Sequence, residues 1–297
     1  MKLLVIIVTY NAMQWAERCF NSLRLSSVKP DVFVVDNGST DGTIEYLQNN
    51  YPEIIIHKSE TNCGFGKANN IGMQYSLEKG YDFVYLLNQD AWVAKDTFEK
   101  LIEISKNNPE YGILSPFQMN ADQYKIDSLF IAHVLSWESN PDICSDMYNQ
   151  SYNEVYPVKF VMAAHWLITR DCLCRIGGFS PSFPHYAEDV NYIDRVIYHG
   201  LKIGVIPMLR VVHDRGGREE SDQKKMYLGY TNSIRAISNP NGSIKKMLFR
   251  VLYICLINMI IYKSAKPLIY LLEIIKHLNS ILKNRKLSMT SKSSFLK

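Results

Sequence analysis

Over the first ninety residues, short apolar blocks alternate with amphipathic stretches. Leu3 to Val8 is a continuous apolar run, which predicts a buried strand over residues 3–9. Met13, Ala16, Phe20 and Leu23 recur at helical spacing and predict a helix over 13–25. Val32 to Val35 marks a second strand, Asp31 to Asp36, followed by a short helix over 43–49. Ile54 to His57 reads as a third strand, 65–79 as a helix, and Phe83 to Leu87 as a fourth strand. Ala91 to Asn107 then looks helical. Strands alternating with helical crossovers form a parallel sheet covered on both faces.

The polar residues that stop these strands carry the first chemical signal. Phe83 to Leu87 breaks off into Asn88-Gln89-Asp90, the second strand ends at Asp36, and Asn11 follows the first. Open α/β sheets bind ligands at the carboxyl edge of their strands. An Asp with an Asn nearby suits a hard divalent cation that takes phosphate oxygens as further ligands. The plainer alternative is that these residues cap helices and turns, with Asp90 capping the helix expected after it.

Length and charge add a second part. The chain has 297 residues and is 47% hydrophobic, enough for one large domain with an appendage or for two domains. From Ser243 onward there are eleven basic residues against Glu273 alone, a net +10, which leaves −6 for residues 1–242. The expected division is an acidic body over 1–242 and a basic, apolar, helical extension over 243–297. Val251 to Tyr262 has no charge but is too short to span a bilayer. With Leu268 to Leu282 it suits helices lying on an anionic membrane surface. The competing reading packs them on the body or in a homodimer. The Ser/Lys-rich residues 286–297 are expected to be disordered. The six cysteines form no CxxC pair and no zinc spacing, and read as reduced thiols. Met1 to Val8 is too short for a signal peptide and no cleavage site follows, so a cytoplasmic location on the inner face of the cell membrane is expected. Nucleic acid is not expected as a partner.

No GxGxxG follows the first strand and no GxxxxGKS/T occurs. A glycine loop therefore does not hold phosphates here, and a metal on Asp90 would have to. Four ordered motifs carry a resemblance. Val34 to Thr43 resembles the nucleotide-binding turn of family 2 glycosyltransferases, and Asn62 to Gly72 the segment that follows it. Leu86 to Asp90 falls where their metal-binding DxD lies. Gly177-Gly178-Phe179, Ala187 to Asn191 and Arg195 resemble their catalytic-base segment. The flavour is that of the bacterial rhamnosyltransferase-like branch, whose members build surface polysaccharides.

The resemblance implies an α/β GT-A fold, a Rossmann-like mixed sheet with helices on both faces, followed here by C-terminal amphipathic helices. It implies a nucleotide-diphosphate-sugar donor. Thr9 and Asn11 would flank base and ribose, and Asp36 would accept a base N–H, best a pyrimidine's, with UDP and dTDP ranked together. Asn37 shapes the turn. Gly66, Asn69, Asn88 and Gln89 complete the donor side, with solvent exposure as the alternative for Asn69. Asp90 would bind Mn2+ or Mg2+. His213 would complete the shell, or else serve as a cap or core residue. Asn88 departs from the family's DxD and supplies an oxygen without charge. Asp189 would be the general base of an inverting transfer and Glu188 would orient the acceptor, although both also suit a helix N-terminus. Arg195 reads as an ordinary ion-pair partner.

Residues 118–157, with Trp137, Tyr148, Tyr152 and Tyr156, are polar, aromatic and irregular, and are the candidate region for acceptor recognition. His165 and Trp166 lie under the sugar or in the core. The expected function is transfer of one sugar to a hydroxyl of a lipid-linked surface glycan. The QxxRW motif of processive polymerases is missing. Two rivals are a catalytically silent sugar-nucleotide or glycan-binding protein of the same fold, and a sugar-phosphate nucleotidylyltransferase. The latter needs a glycine- and basic-rich loop where this chain has Tyr10 to Gln14.

Overall fold

The computed structural model describes residues 1–136, 139–216, 221–290 and 292–296. β1 (Leu3–Thr9), α1 (Met13–Arg24), β2 (Asp31–Asp36), α2 (Thr43–Asn50), β3 (Ile55–Lys58), α3 (Phe65–Lys79) and β4 (Phe83–Asn88) follow one another. Next come β5 (Ala91–Trp92), α4 (Thr97–Asn107), β6 (Tyr111–Met119), α5 (Ser128–His133), α6 (Pro141–Asn149) and β7 (Tyr156–Pro157). β8 (His165–Thr169), α7 (Arg170–Ile176), α8 (Glu188–Tyr198) and β9 (Lys202–His213) complete the sheet layer. Three helices close the chain, α9 (Asp222–Ser238), α10 (Ile244–Tyr262) and α11 (Lys266–Ser288).

One sheet runs β3-β2-β1-β4-β8-β6-β9-β5, with β7 on β9. The expected parallel arrangement holds for β1 to β4. β8 then inserts antiparallel between β4 and β6, and β5 and β7 run antiparallel to β9. The sheet is therefore mixed. Successive side chains of β1 enter opposite cores, Ile6 packing with Leu86 and Trp166 on one face, Ile7 with Tyr85 and Phe98 on the other. The register sets Thr9 opposite Asp36 and Val8 opposite Asn88, so the polar strand ends stand level at one edge.

Several expectations need correcting. Helix does not follow Asp90. Ala91 and Trp92 pair with His213 and Val212 of β9, and α4 starts only at Thr97. Residues 118–157 are not irregular, since they contain α5, α6 and β7; Trp137 lies outside the described residues. Trp166 is fully buried and stacks on Phe179 at 6.3 Å and 18°. His165 is equally buried, between the Tyr85 hydroxyl and the Val212 carbonyl, each at 2.9 Å. Burial drives its pKa down to about 3, so it is a neutral core residue, and neither side chain forms a floor for a sugar.

Residues 292–296 pack on the body. Ser293 N donates to Cys174 O at 2.9 Å and Gly178 N to Ser294 O at 2.8 Å. The Phe295 ring lies 5.0 Å from the Arg195 guanidinium. Gly177 has φ +80°, and a side chain there would collide with the Ser294 backbone. α9 packs on α10 and α11 around Ile234, Val251, Ile274 and Ile281, so the step in charge at 242/243 falls inside one helical layer.

Candidate active site

The turns after β1, β2 and β4 are tied into one edge. Asp36 is 1% exposed, and protein donors fill its carboxylate. Thr9 Oγ1 (2.8 Å) and Ser39 Oγ (2.5 Å) donate to Oδ1, and the Gly38 and Ser39 amides donate to Oδ2 at 3.1 and 2.9 Å. A carboxylate offers about four lone-pair positions, so a ligand N–H reaches Asp36 only by displacing a donor. The rotatable Ser39 hydroxyl is the easiest to displace. Asn11, at φ 51°, is exposed and accepts from Thr40 N at 2.9 Å through its side-chain oxygen. Gln89 clasps the Tyr10 backbone, accepting from its N–H at 2.7 Å and donating to its carbonyl at 3.2 Å. Asn37 Oδ1 accepts from Cys63 N at 3.4 Å, drawing the 62–66 loop to the same edge.

That loop continues toward the segment before α8. A Cβ at Gly66 would stand 3.0 Å from Phe179 Cβ and 3.8 Å from Glu188 Cβ. Gly66 is thus explained by the close approach of α3 to the segment before α8. Asn69 is buried and donates to Phe65 O at 3.0 Å, which rules out the solvent-exposed alternative.

The β5–β9 pairing brings Asn88, Asp90 and His213 together. His213 Nε2 lies 3.4 Å from Asp90 Oδ1 and 3.3 Å from the Asn88 amide nitrogen. Donors around an octahedral ion at bonds of about 2.1 Å stand about 3 Å apart, so the His213–Asp90 spacing is compatible with a shared ion, and Asn88 would join it by turning its amide to present the oxygen. Asp90 and His213 are both buried, and His213 Nδ1 has no hydrogen-bond partner. Among the described residues no group of three His, Cys, Asp or Glu side chains gathers to hold a metal. The protein therefore offers a carboxylate, an imidazole and an amide, a set that fits a cation completed by phosphate oxygens.

Glu188 and Asp189 open α8 behind two left-handed residues, Tyr186 (φ 66°) and Ala187 (φ 65°). Asp189 accepts from Val190 N at 2.8 Å. Burial raises its pKa, against the Val190 and Ala163 amides and the charge of Arg215. The neighbouring Ala164 carbonyl accepts from Asn88 N at 3.1 Å. The dipeptide Ala163-Ala164 therefore links Asp189 to the turn that carries Asn88 and Asp90.

Glu188 is 6% exposed and its Oε2 has no hydrogen-bond partner. Burial, and then the charge of Asp189, push its pKa from 4.5 up to about 8. Between those values the folded chain holds a proton that the unfolded chain has released, so stability falls as pH rises through the window. Glu188→Gln removes this effect. Its stability advantage over wild type is expected to widen by roughly 3 kcal/mol from pH 5 to pH 8, read from denaturant unfolding. Parallel pH curves for the two proteins would show that Glu188 ionises normally.

Arg195 is not the ion-pair partner expected. It is fully buried, and its guanidinium donates to the Gly178 carbonyl (2.8 and 2.7 Å) and the Ile176 carbonyl (3.0 Å), fixing the turn that leads toward α8. Arg215 was not legible in the sequence. Its Nε lies 2.9 Å from Asp127 Oδ2, so it joins the 118–157 region to the surroundings of Asp189. Only its place two residues after His213 hinted at a role.

A family model, Glycosyl transferase family 2, matches residues 4–159. The chain is 27% identical over 231 residues to the N-acetylglucosaminyl-diphospho-decaprenol L-rhamnosyltransferase of Mycobacterium tuberculosis, covering 71% of this chain and 75% of that protein. It is 24% identical over 253 residues to the low-salt glycan biosynthesis hexosyltransferase Agl10 of Haloferax volcanii, over 84% of this chain and 78% of the relative. Among solved structures, S. aureus TarS 1-349 superposes with a TM-score of 0.58 at 16% identity, over 83% of this chain and 68% of that one. The mannosyltransferase PcManGT from Pyrobaculum calidifontis, in complex with GDP-Man and Mn2+, gives 0.55 at 16% identity, over 97% and 73%. With more than half of its length matched by the family model and a mixed sheet shared with these structures, the chain is a family 2 glycosyltransferase of the GT-A fold.

Proposed function

We propose that the protein is an inverting transferase that moves one sugar from a UDP- or dTDP-linked donor to a hydroxyl of a lipid-linked surface glycan. The observation that carries this is the Ala163-Ala164 link, which sets Asp189 one residue's span from the Asn88–Asp90 turn. A base and a phosphate-side cation site at that spacing can act on one bound donor. Asp189 takes the proton of the acceptor hydroxyl. The oxygen attacks the anomeric carbon from the face opposite the diphosphate, the bond to the leaving phosphate oxygen breaks, and the configuration inverts. Raising the pKa of Asp189 by burial brings it nearer to the working pH, which favours general-base action. Asp90 and His213, with Asn88, would hold Mn2+ or Mg2+, which neutralises charge on the leaving diphosphate. The GDP-Man and Mn2+ in the PcManGT complex and the UDP in a TarS complex support the donor and metal roles by analogy.

The diphospho-decaprenol in the name of the mycobacterial relative supports an acceptor carried on a lipid diphosphate. No helix among the described residues is long and apolar enough to cross a membrane. α10 instead exposes Phe249, Leu252, Tyr253, Leu256, Ile260 and Ile261 along one stripe, with Lys245, Lys246, Arg250 and Lys263 at its ends. Peripheral binding to an anionic cytoplasmic leaflet would bring the enzyme to such an acceptor.

Calorimetric titration with UDP, dTDP, GDP and CMP tests the donor side. A pyrimidine diphosphate is expected to bind with Mn2+ and to lose at least about tenfold in affinity with EDTA. Binding of GDP alone would overturn the role given to Asp36. Binding indifferent to EDTA would overturn that given to Asp90.

A further inference from the structure

An aromatic cluster beside the catalytic base has no part in the donor site. Tyr227 of α9 is its hub, with ring centroids 5.7 Å from Tyr230, 6.1 Å from Tyr270 of α11 and 6.3 Å from Tyr186. Tyr230 and Tyr270 stack at 4.8 Å and 25°. Lys224 Nζ lies 5.8 Å from the Tyr186 ring centroid. All four tyrosines are half-buried, and none of their hydroxyls makes a hydrogen bond among the described residues. Rings that served only as core would be sealed like Tyr85 and Tyr192, which are wholly buried with their hydroxyls bonded.

Two further observations tie the cluster to the reaction centre. Tyr186 and Ala187, both left-handed without being glycine, form the direct lead into Glu188. Such backbone is strained and persists where surrounding contacts over-determine it. Here the contacts are the ring packing of Tyr186 against Tyr227 and His185. The Glu188 carboxyl, close enough for its charge to bear on Tyr227, keeps a buried oxygen without a partner. At its far end the cluster reaches Tyr270, near the start of α11, which with Tyr230 lines a groove against Ile254, Cys255 and Asn258 of α10.

We propose that Tyr186, Tyr227, Tyr230 and Tyr270 form the acceptor subsite, on which a pyranose ring of the acceptor glycan stacks with its reacting hydroxyl toward Asp189 and its lipid toward α10 and α11. This rests on the transferase function proposed above. Sugar C–H faces pack on aromatic rings, and half-buried phenols supply the hydroxyl contacts that fix orientation. The unpartnered Glu188 oxygen is placed to meet one of the sugar's hydroxyls. The recognition element is therefore the α8–α9–α11 junction rather than residues 118–157.

The test measures the affinity of the full-length protein, with Mn2+ and UDP or dTDP, for a synthetic probe, N-acetylglucosaminyl-diphospho-farnesol. Tyr227→Ala and Tyr186→Ala are each expected to weaken probe binding about 5- to 10-fold. Tyr227→Phe should stay within about twofold, and nucleotide affinity should be unchanged in all three, which also verifies folding. Unchanged probe affinity in both alanine variants would overturn the subsite. Wild type that binds nucleotide with metal but not the probe would also overturn it and leave the donor site standing. Wild type that binds no nucleotide would remove the transferase function, and the subsite with it.

Discussion

Asp189→Asn is expected to slow sugar transfer by about 10²- to 10⁴-fold while metal-dependent nucleotide binding stays within about threefold. The substitution keeps the shape of the side chain. Its amide oxygen can still accept from Val190 N and the Ala163 amide, so α8 and the link to the Asn88 turn are retained. What disappears is a group able to take a proton. Glu188 is a poor substitute, because burial, the larger cause of its raised pKa, still favours its protonated form when the Asp189 charge is removed. The pH profile separates this chemistry from a packing defect. Residual transfer by Asp189→Asn should rise with pH as Glu188 ionises, and should do so below about 8, because the Asp189 charge that helps raise the Glu188 pKa is gone. The double variant with Glu188→Gln should show no such rise. Single-turnover rates with saturating donor give the comparison. A variant retaining more than about a tenth of the wild-type rate would remove Asp189 from the role of base.

Local signals made the first half of the fold readable. β2 is bounded by Asp31 and Asp36 as its apolar run implied, because a buried parallel strand is a continuous apolar block stopped by a polar turn. α3 likewise spans Phe65 to Lys79 and closes on Gly80 at φ +72°. β5 was not legible, since two residues carry no period. The approach of Asp90 to His213 depends on that pairing across more than a hundred residues of sequence. Asp36 was identifiable as a carboxylate at the edge, but not that Thr9 and Ser39 fill its lone pairs. Arg195 looked like an ion-pair residue because charge suggests charge, whereas backbone carbonyls surround it. The final residues have the composition of a disordered tail. Residues 292–296 are held because Gly177 leaves room for the Ser294 backbone and Gly178 for the Leu296 side chain, a complementarity no composition can reveal.

Replacing Leu256, Ile260 and Leu272 together by Ser is expected to lower binding to anionic vesicles by about 10²- to 10³-fold, on roughly 1–1.5 kcal/mol for each partly buried side chain. The three residues are 62%, 74% and 58% exposed, whereas Val251, Cys255 and Ile274 on the opposite faces are sealed against α9 and one another. The layer is therefore packed without the outer stripe, and the triple variant should keep its fold and its nucleotide affinity. Charge supplies the second contribution. Lys245, Lys246, Arg250 and Lys263 are exposed around the stripe, and each basic residue near an anionic leaflet is worth about 1 kcal/mol. Raising salt from 0.1 to 1 M shortens the screening length from about 10 to about 3 Å, so it should weaken binding without abolishing it. Neutral vesicles should bind less tightly than anionic ones at low salt. A homodimer would bury the same stripe, and sedimentation without lipid distinguishes the two. A monomer that pellets with anionic vesicles, and a triple variant that does not, support the membrane. A dimer that ignores vesicles and falls apart in the triple variant would assign the stripe to a second copy of the chain. The basic rim favours the membrane, because a symmetric pairing of two such faces would bring like charges of α10 together, whereas an anionic leaflet compensates them.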